Sequence, residues 1–151
     1  MGTTFVTIDE IHGFWMFDQI LEVWLRLLAL HIPEPSNDDS IEYQNESYQI
    51  RNWWLLASKG YFGGHVPHHL DDCLQLKHGA RIVQLAIQSL RVVLEKTDTA
   101  ITPEIFSLMG GQIRLAFSKE KLIDIANAWE ELIAGQITFT AYTTERMPGS
   151  H

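Results

Sequence analysis

The sequence predicts a mainly α fold of about five helices in one domain, residues 1–151, with room for a small two- or three-stranded β element near the C-terminus. Three observations carry this reading. Apolar residues recur at spacings of three and four through several long segments. Ser, Thr or Asp stands where these segments begin, and Gly or Pro where they end, as helix caps require. Strand-like alternation is confined to 112–117 and 137–142, with 3–6 as a third candidate strand.

The first helix is expected to start at Thr7, which forms a capping box with Glu10, while Val6 and Ile11 supply the hydrophobic staple. Ile11, Phe14, Trp15, Phe17, Ile20, Leu21, Trp24, Leu25, Leu27 and Leu28 then cover most of its circumference. A narrow polar stripe remains, Asp18, Glu22 and Arg26 at i, i+4 spacing. So greasy a helix belongs at the centre of the fold or, as the second reading, in a homodimer interface. Pro33 and Pro35 end it, and 33–40 reads as a polar linker inside the domain.

Asp39 with Glu42 forms the next cap, and the second helix runs to about Ser58 before Gly60. Tyr43, Ile50, Trp54 and Ala57 point inward; Glu42, Gln44, Asn45, Glu46 and Gln49 point outward. The Gly-rich aromatic run 60–67 predicts a tight crossing in which glycines adopt positive φ. A long helix follows over 70–96, bent near Gly79, with the stripe Leu76, Ala80, Val83, Ile87, Leu90 and Leu94. Thr102-Pro103-Glu104 opens a short helix that Gly110-Gly111 closes. Ser118 caps the last helix, whose stripe is Leu122, Ile125, Ala126, Trp129, Leu132 and Ile133, ending at Gly135.

Composition narrows the function mainly by exclusion. Eleven Lys plus Arg against nineteen Asp plus Glu give a net charge of −8, which repels phosphate backbones and favours a basic protein partner over nucleic acid. Charges at Asp9, Glu10, Asp18, Glu22 and Arg26 interrupt the apolar stretch 8–32, so no membrane span is expected. Cys73 is the single cysteine, which rules out an intrachain disulfide. The opening residues lack the basic region and apolar run of a secretory signal, and Val6 replaces the Ser or Thr of a myristoylation motif. The cytoplasm is the expected compartment.

The run from Ile50 to Pro67, with Arg51, Trp54-Leu55-Leu56-Ala57-Ser58, Gly60, Phe62, Gly64 and Val66-Pro67, resembles the signature of a family of small uncharacterised bacterial proteins. Leu108-Met109-Gly110, the segment from Leu122 to Gly135 and the tail Met147-Pro148-Gly149-Ser150 extend the likeness over about 45–150. The family pattern carries Cys before the Val-Pro, where this chain has His65. The resemblance implies no established activity. Analogy of size and charge with toxin immunity proteins points to a non-enzymatic binding module.

Two residue groups are candidates for chemistry or contact. His65, His68, His69, Asp72 and Cys73, with Asp71 and His78 nearby, have ligand-bearing side chains. If a helix starts near 68, His68–Asp72 and His69–Cys73 fall at i, i+4, which lets two side chains share a divalent metal such as Zn. That makes a metal-binding helical protein or metal-dependent enzyme the alternative function; the leading reading needs no cofactor. Neither His-Glu-x-x-His nor a P-loop is present. The second group is a contact surface for a basic partner: Asp38, Asp39, Glu42 and Glu46 on the second helix and its approach, Arg51 (set against Glu46), and Tyr61 and Phe62 in the loop.

Overall fold

The structure is a computed structural model and describes residues 2–60, 62, 64–96, 107–108 and 117–150. It contains strands β1 (Thr3–Thr7) and β2 (Gly13–Phe17), followed by helices α1 (Asp18–His31), α2 (Ile41–Ala57), α3 (Leu70–Gln75), α4 (Gly79–Lys96) and α5 (Lys119–Ile133). None of these helices is long and apolar enough to cross a membrane.

The β element lies at the N-terminus, not near the C-terminus, which corrects the expected fold. β1 and β2 form an antiparallel hairpin with Thr3 opposite Phe17 and Phe5 opposite Trp15. The expected capping box is instead the hairpin turn. Thr7 Oγ1 donates to the His12 carbonyl at 2.8 Å, and Asp9 Oδ1 accepts from the backbone N–H of Ile11 at 2.8 Å and His12 at 2.7 Å. A short acidic side chain that captures the amides two and three residues on favours a turn over a helical first turn. These bonds and the His12 ring, which is foremost, hold the Asp9 carboxyl well below the usual carboxylate range. Beyond the turn, Phe14 and Met16 are buried while Trp15 and Phe17 stay half-exposed, the period of two that marks a strand.

The segment 3–6 is therefore a strand, but its partner is β2. The segment 137–142 meets the same sheet through an isolated bridge between His12 and Thr140, a bond from Gly13 N to Phe139 O at 2.9 Å and one from Trp15 Nε1 to the Ala141 carbonyl at 2.9 Å. Residues 112–116, the helix start at 102–104 and Gly110-Gly111 lie outside the described residues.

α1 is the central helix and packs against α2 and α4. Leu21, Val23, Trp24, Leu25, Leu27, Leu28 and Ala29 are buried, and so are Asp18 and Arg26 of the supposed polar stripe. Of the two readings of this helix, its burial supports the centre of the fold. Its apolar surface is consumed inside the chain, and Leu30, 51% exposed, is its one large apolar residue facing solvent. Trp24 meets Trp129 of α5 at a centroid distance of 5.8 Å, which ties the first and last helices to one core.

α2 is capped by Ser40, whose hydroxyl accepts from Tyr43 N at 3.1 Å; Asp39 instead accepts from Ser36 N at 2.8 Å and shapes the linker. The expected long helix divides into α3 and α4, with Leu76 in an extended conformation at the corner. α5 begins at Ser118, which accepts from Lys121 N at 3.2 Å. The Met-Pro-Gly-Ser segment docks on it: Pro148 and Gly149 are buried, and Gly149 N donates to Asp124 Oδ2 at 3.0 Å.

Candidate functional site

The loop that carries the aromatic and histidine residues is fastened from the N-terminal side of the fold. Asp18, in the first turn of α1, accepts from Thr4 Oγ1 at 2.7 Å through one carboxylate oxygen and from Gly64 N at 2.7 Å through the other. Thr4 Oγ1 in turn accepts from Val66 N at 2.9 Å. Gly60 and Gly64 have φ of +83° and +86°, so the crossing uses its glycines for left-handed backbone. Loop amides that would face a phosphate in a cradle are occupied by the chain's own carboxylate and hydroxyl. Sequence reasoning placed Asp18 in a solvent stripe because the helix was counted from Thr7, whereas α1 begins at Asp18.

The histidines diverge instead of converging. His65 is exposed. His68 is buried, its Nδ1 accepting from Leu70 N at 2.9 Å and its carbonyl from Trp54 Nε1 at 2.9 Å. His69 has φ +54°, stacks on Trp53 at 4.8 Å, and donates from Nδ1 to Asp72 at 2.9 Å. The helix starts only at Leu70, so the i, i+4 spacing assumed for residues 68 and 69 does not exist. Cys73 is fully buried, and burial, with Asp72 and Asp71 beside it, pushes its thiol far above the ordinary range. It faces the core while His69 and Asp72 face outward, which separates nucleophile from base. Among the described residues, no group of three or more His, Cys, Asp and Glu side chains could hold a metal ion. His78 lies edge-on to Tyr43 at 5.4 Å.

His68 has a consequence for acid stability. Burial, opposed by Asp71, lowers it from the ordinary 6.5 to about 4. Its neutral form is the folded form, so the unfolded chain binds the extra proton between these values. The stabilisation is complete above pH 6.5 and is lost as pH falls through 4, by about 3 kcal/mol in all. Denaturant titrations across this window should show that slope, and His68→Gln, which can still accept from Leu70 N, should flatten it. An unchanged slope in the variant would assign the acid sensitivity elsewhere.

The contact candidates sort by flank of α2. Asp38 and Glu42 are exposed, Asp39 is half-buried, and Glu42 lies 3.4 Å from Lys77 Nζ. Glu46 is not a surface acid. It is 8% exposed, and its two oxygens accept from Lys77 N and His78 N, each at 3.0 Å, at the entry to α4. Arg51 does not meet Glu46. It pairs with Glu34 at 3.3 Å, donates to Ile32 O at 3.1 Å, and places its guanidinium over the Tyr48 ring at 5.8 Å. Residues advance 100° each on a helix, which sets 46 and 51 well apart around the axis. Phe62 is half-buried, and Tyr61 lies outside the described residues.

Sequence reasoning missed Glu34 and the exposed apolar residues of α2: Ile41 at 75%, Tyr48 at 44% and Leu56 at 52%. Their separations of seven and eight put them on one face, a signal readable in the sequence. The arrangement is an exposed helix face with acids at its N-terminal end. No family model, curated protein or solved structure matches this chain.

Proposed function

We propose that this chain is a non-enzymatic binding module of the bacterial cytoplasm whose partner is a basic protein, in the manner of a toxin immunity or inhibitor protein. The observation that carries the reading is Ile41, exposed among acids at the start of α2. Asp38 and Glu42, both exposed, flank it in the chain, and Glu42 pairs with Lys77. An apolar anchor flanked by one sign of charge gives a partner both contact area and electrostatic steering. The net charge of −8 acts in the same direction at longer range. The resemblance of Ile50–Pro67 to the small bacterial family belongs to the same proposal and adds no chemistry.

The test is calorimetric titration of the chain with the basic protein encoded beside it. Affinity should fall about tenfold when salt rises from about 0.05 M to about 0.3 M. Asp38→Lys with Glu42→Lys should weaken binding about a hundredfold and leave the thermal melt unchanged. Binding that ignores both salt and charge reversal would refute the proposed surface.

A further inference from the structure

The exposed face of α2 matches itself. Along Ile41, Asn45, Tyr48, Asn52 and Leu56 the spacings are four, three, four and four, the seam of a helix that packs along another helix. All five are exposed, although Ile41, Tyr48 and Leu56 are large apolar side chains. We propose that a second copy of this chain covers the face, α2 against α2, antiparallel about a twofold axis passing between Tyr48 and Gln49.

That axis sets Ile41 opposite Leu56 of the second copy and Asn45 opposite Asn52, so apolar meets apolar and amide meets amide. Just outside the two helix ends it sets Asp38 opposite Lys59, both exposed. Each pairing occurs twice, as an isologous interface requires. Charge selects the direction: parallel packing would bring Asp38 and Glu42 against their own copies, whereas antiparallel packing brings Asp38 to a cation. One pair of 17-residue helices covers on the order of 1,000 Å² in total, the lower limit for a specific interface, so the dimer is weak and concentration-dependent. The inference extends the proposed function by naming what covers its contact face when no partner is bound, and a basic partner would compete with the second copy.

Sedimentation of the full chain from about 10 μM to about 1 mM tests it. The average mass should climb from 17.3 kDa toward twice that value. Tyr48→Glu, which sets two like charges at the axis, should keep the chain monomeric, with circular dichroism confirming its fold. Asp38→Lys and Lys59→Asp should each weaken association about fivefold, and the two together should restore it. A mass of 17.3 kDa at every concentration, a Tyr48→Glu dimer, or a charge swap that restores nothing would each overturn the proposal. The two readings fail separately. A monomer that binds the basic protein refutes only the dimer, and a dimer that ignores it refutes only the proposed function.

Discussion

Gly79→Ala is expected to destabilise the fold by about 3–5 kcal/mol, although alanine is the better helix former by about 1 kcal/mol. Gly79 opens α4 directly after the corner with α3. A Cβ there would overlap the Cys73 carbonyl oxygen and stand 2.6 Å from its carbon, both backbone atoms of α3. Neither atom can swing aside like a side chain, so the two helices must separate, and Cys73 and Leu70 would leave the core with α3. Chemical denaturation should show a lower midpoint. Gly135→Ala is the control: its φ is +73° but nothing lies within 4 Å of the added atom, so about 1 kcal/mol of backbone strain is its whole cost. Equal losses in the two variants would mean that the α3–α4 corner opens freely.

The second large effect belongs to Glu46. Its carboxylate, on α2, caps α4 from a different helix by accepting the amides of Lys77 and His78. Both groups sit where a helix dipole is positive, and a buried acceptor of two amides is hard to replace. Glu46→Ala should cost about 3 kcal/mol, because two donors in a part-buried site lose their charged acceptor. Glu46→Gln should cost about 2 kcal/mol, since one oxygen survives while the amide NH2 turns a donor toward a donor. The order Ala worse than Gln, read from unfolding midpoints, checks the assignment. If both variants matched the wild type, Glu46 would be free to serve as a contact acid after all.

Legibility in the sequence followed the range of the forces involved. α2 and α5 were readable because their signals are local: apolar stripes at helical spacing, Ser118 as cap, Gly60 and Gly135 as stops. The N-terminal hairpin was not, because Thr7, Glu10, Val6 and Ile11 satisfy a helix start as well as they satisfy a turn. Asp9 decides between them by seizing the amides of Ile11 and His12. In 11–17, apolar residues occupy nearly every position, so periods of 2 and 3.6 both fit. For the site, Asp38 and Glu42 were legible as exposed acids, whereas Glu46 lies near the edge of the polar face and is buried only because the α3–α4 corner lands on it. The histidines misled for a related reason. Ligand spacing was counted as if 68 and 69 were helical, and the left-handed His69 breaks that count.

The Asp18 fastening also bears on the order in which the chain assembles. Its bond to Gly64 spans 46 residues, and the bond from Val66 to Thr4 spans 62. The hairpin turn and the individual helices need only neighbours within a few residues, and such contacts form early. The loop can be clasped only once β1 and α1 are already side by side, so its closure follows the last barrier crossed in folding. Interactions absent from that barrier act on unfolding and not on folding. Asp18 therefore serves as a latch that sets how long the native state lasts, while the speed of reaching it is set elsewhere in the chain.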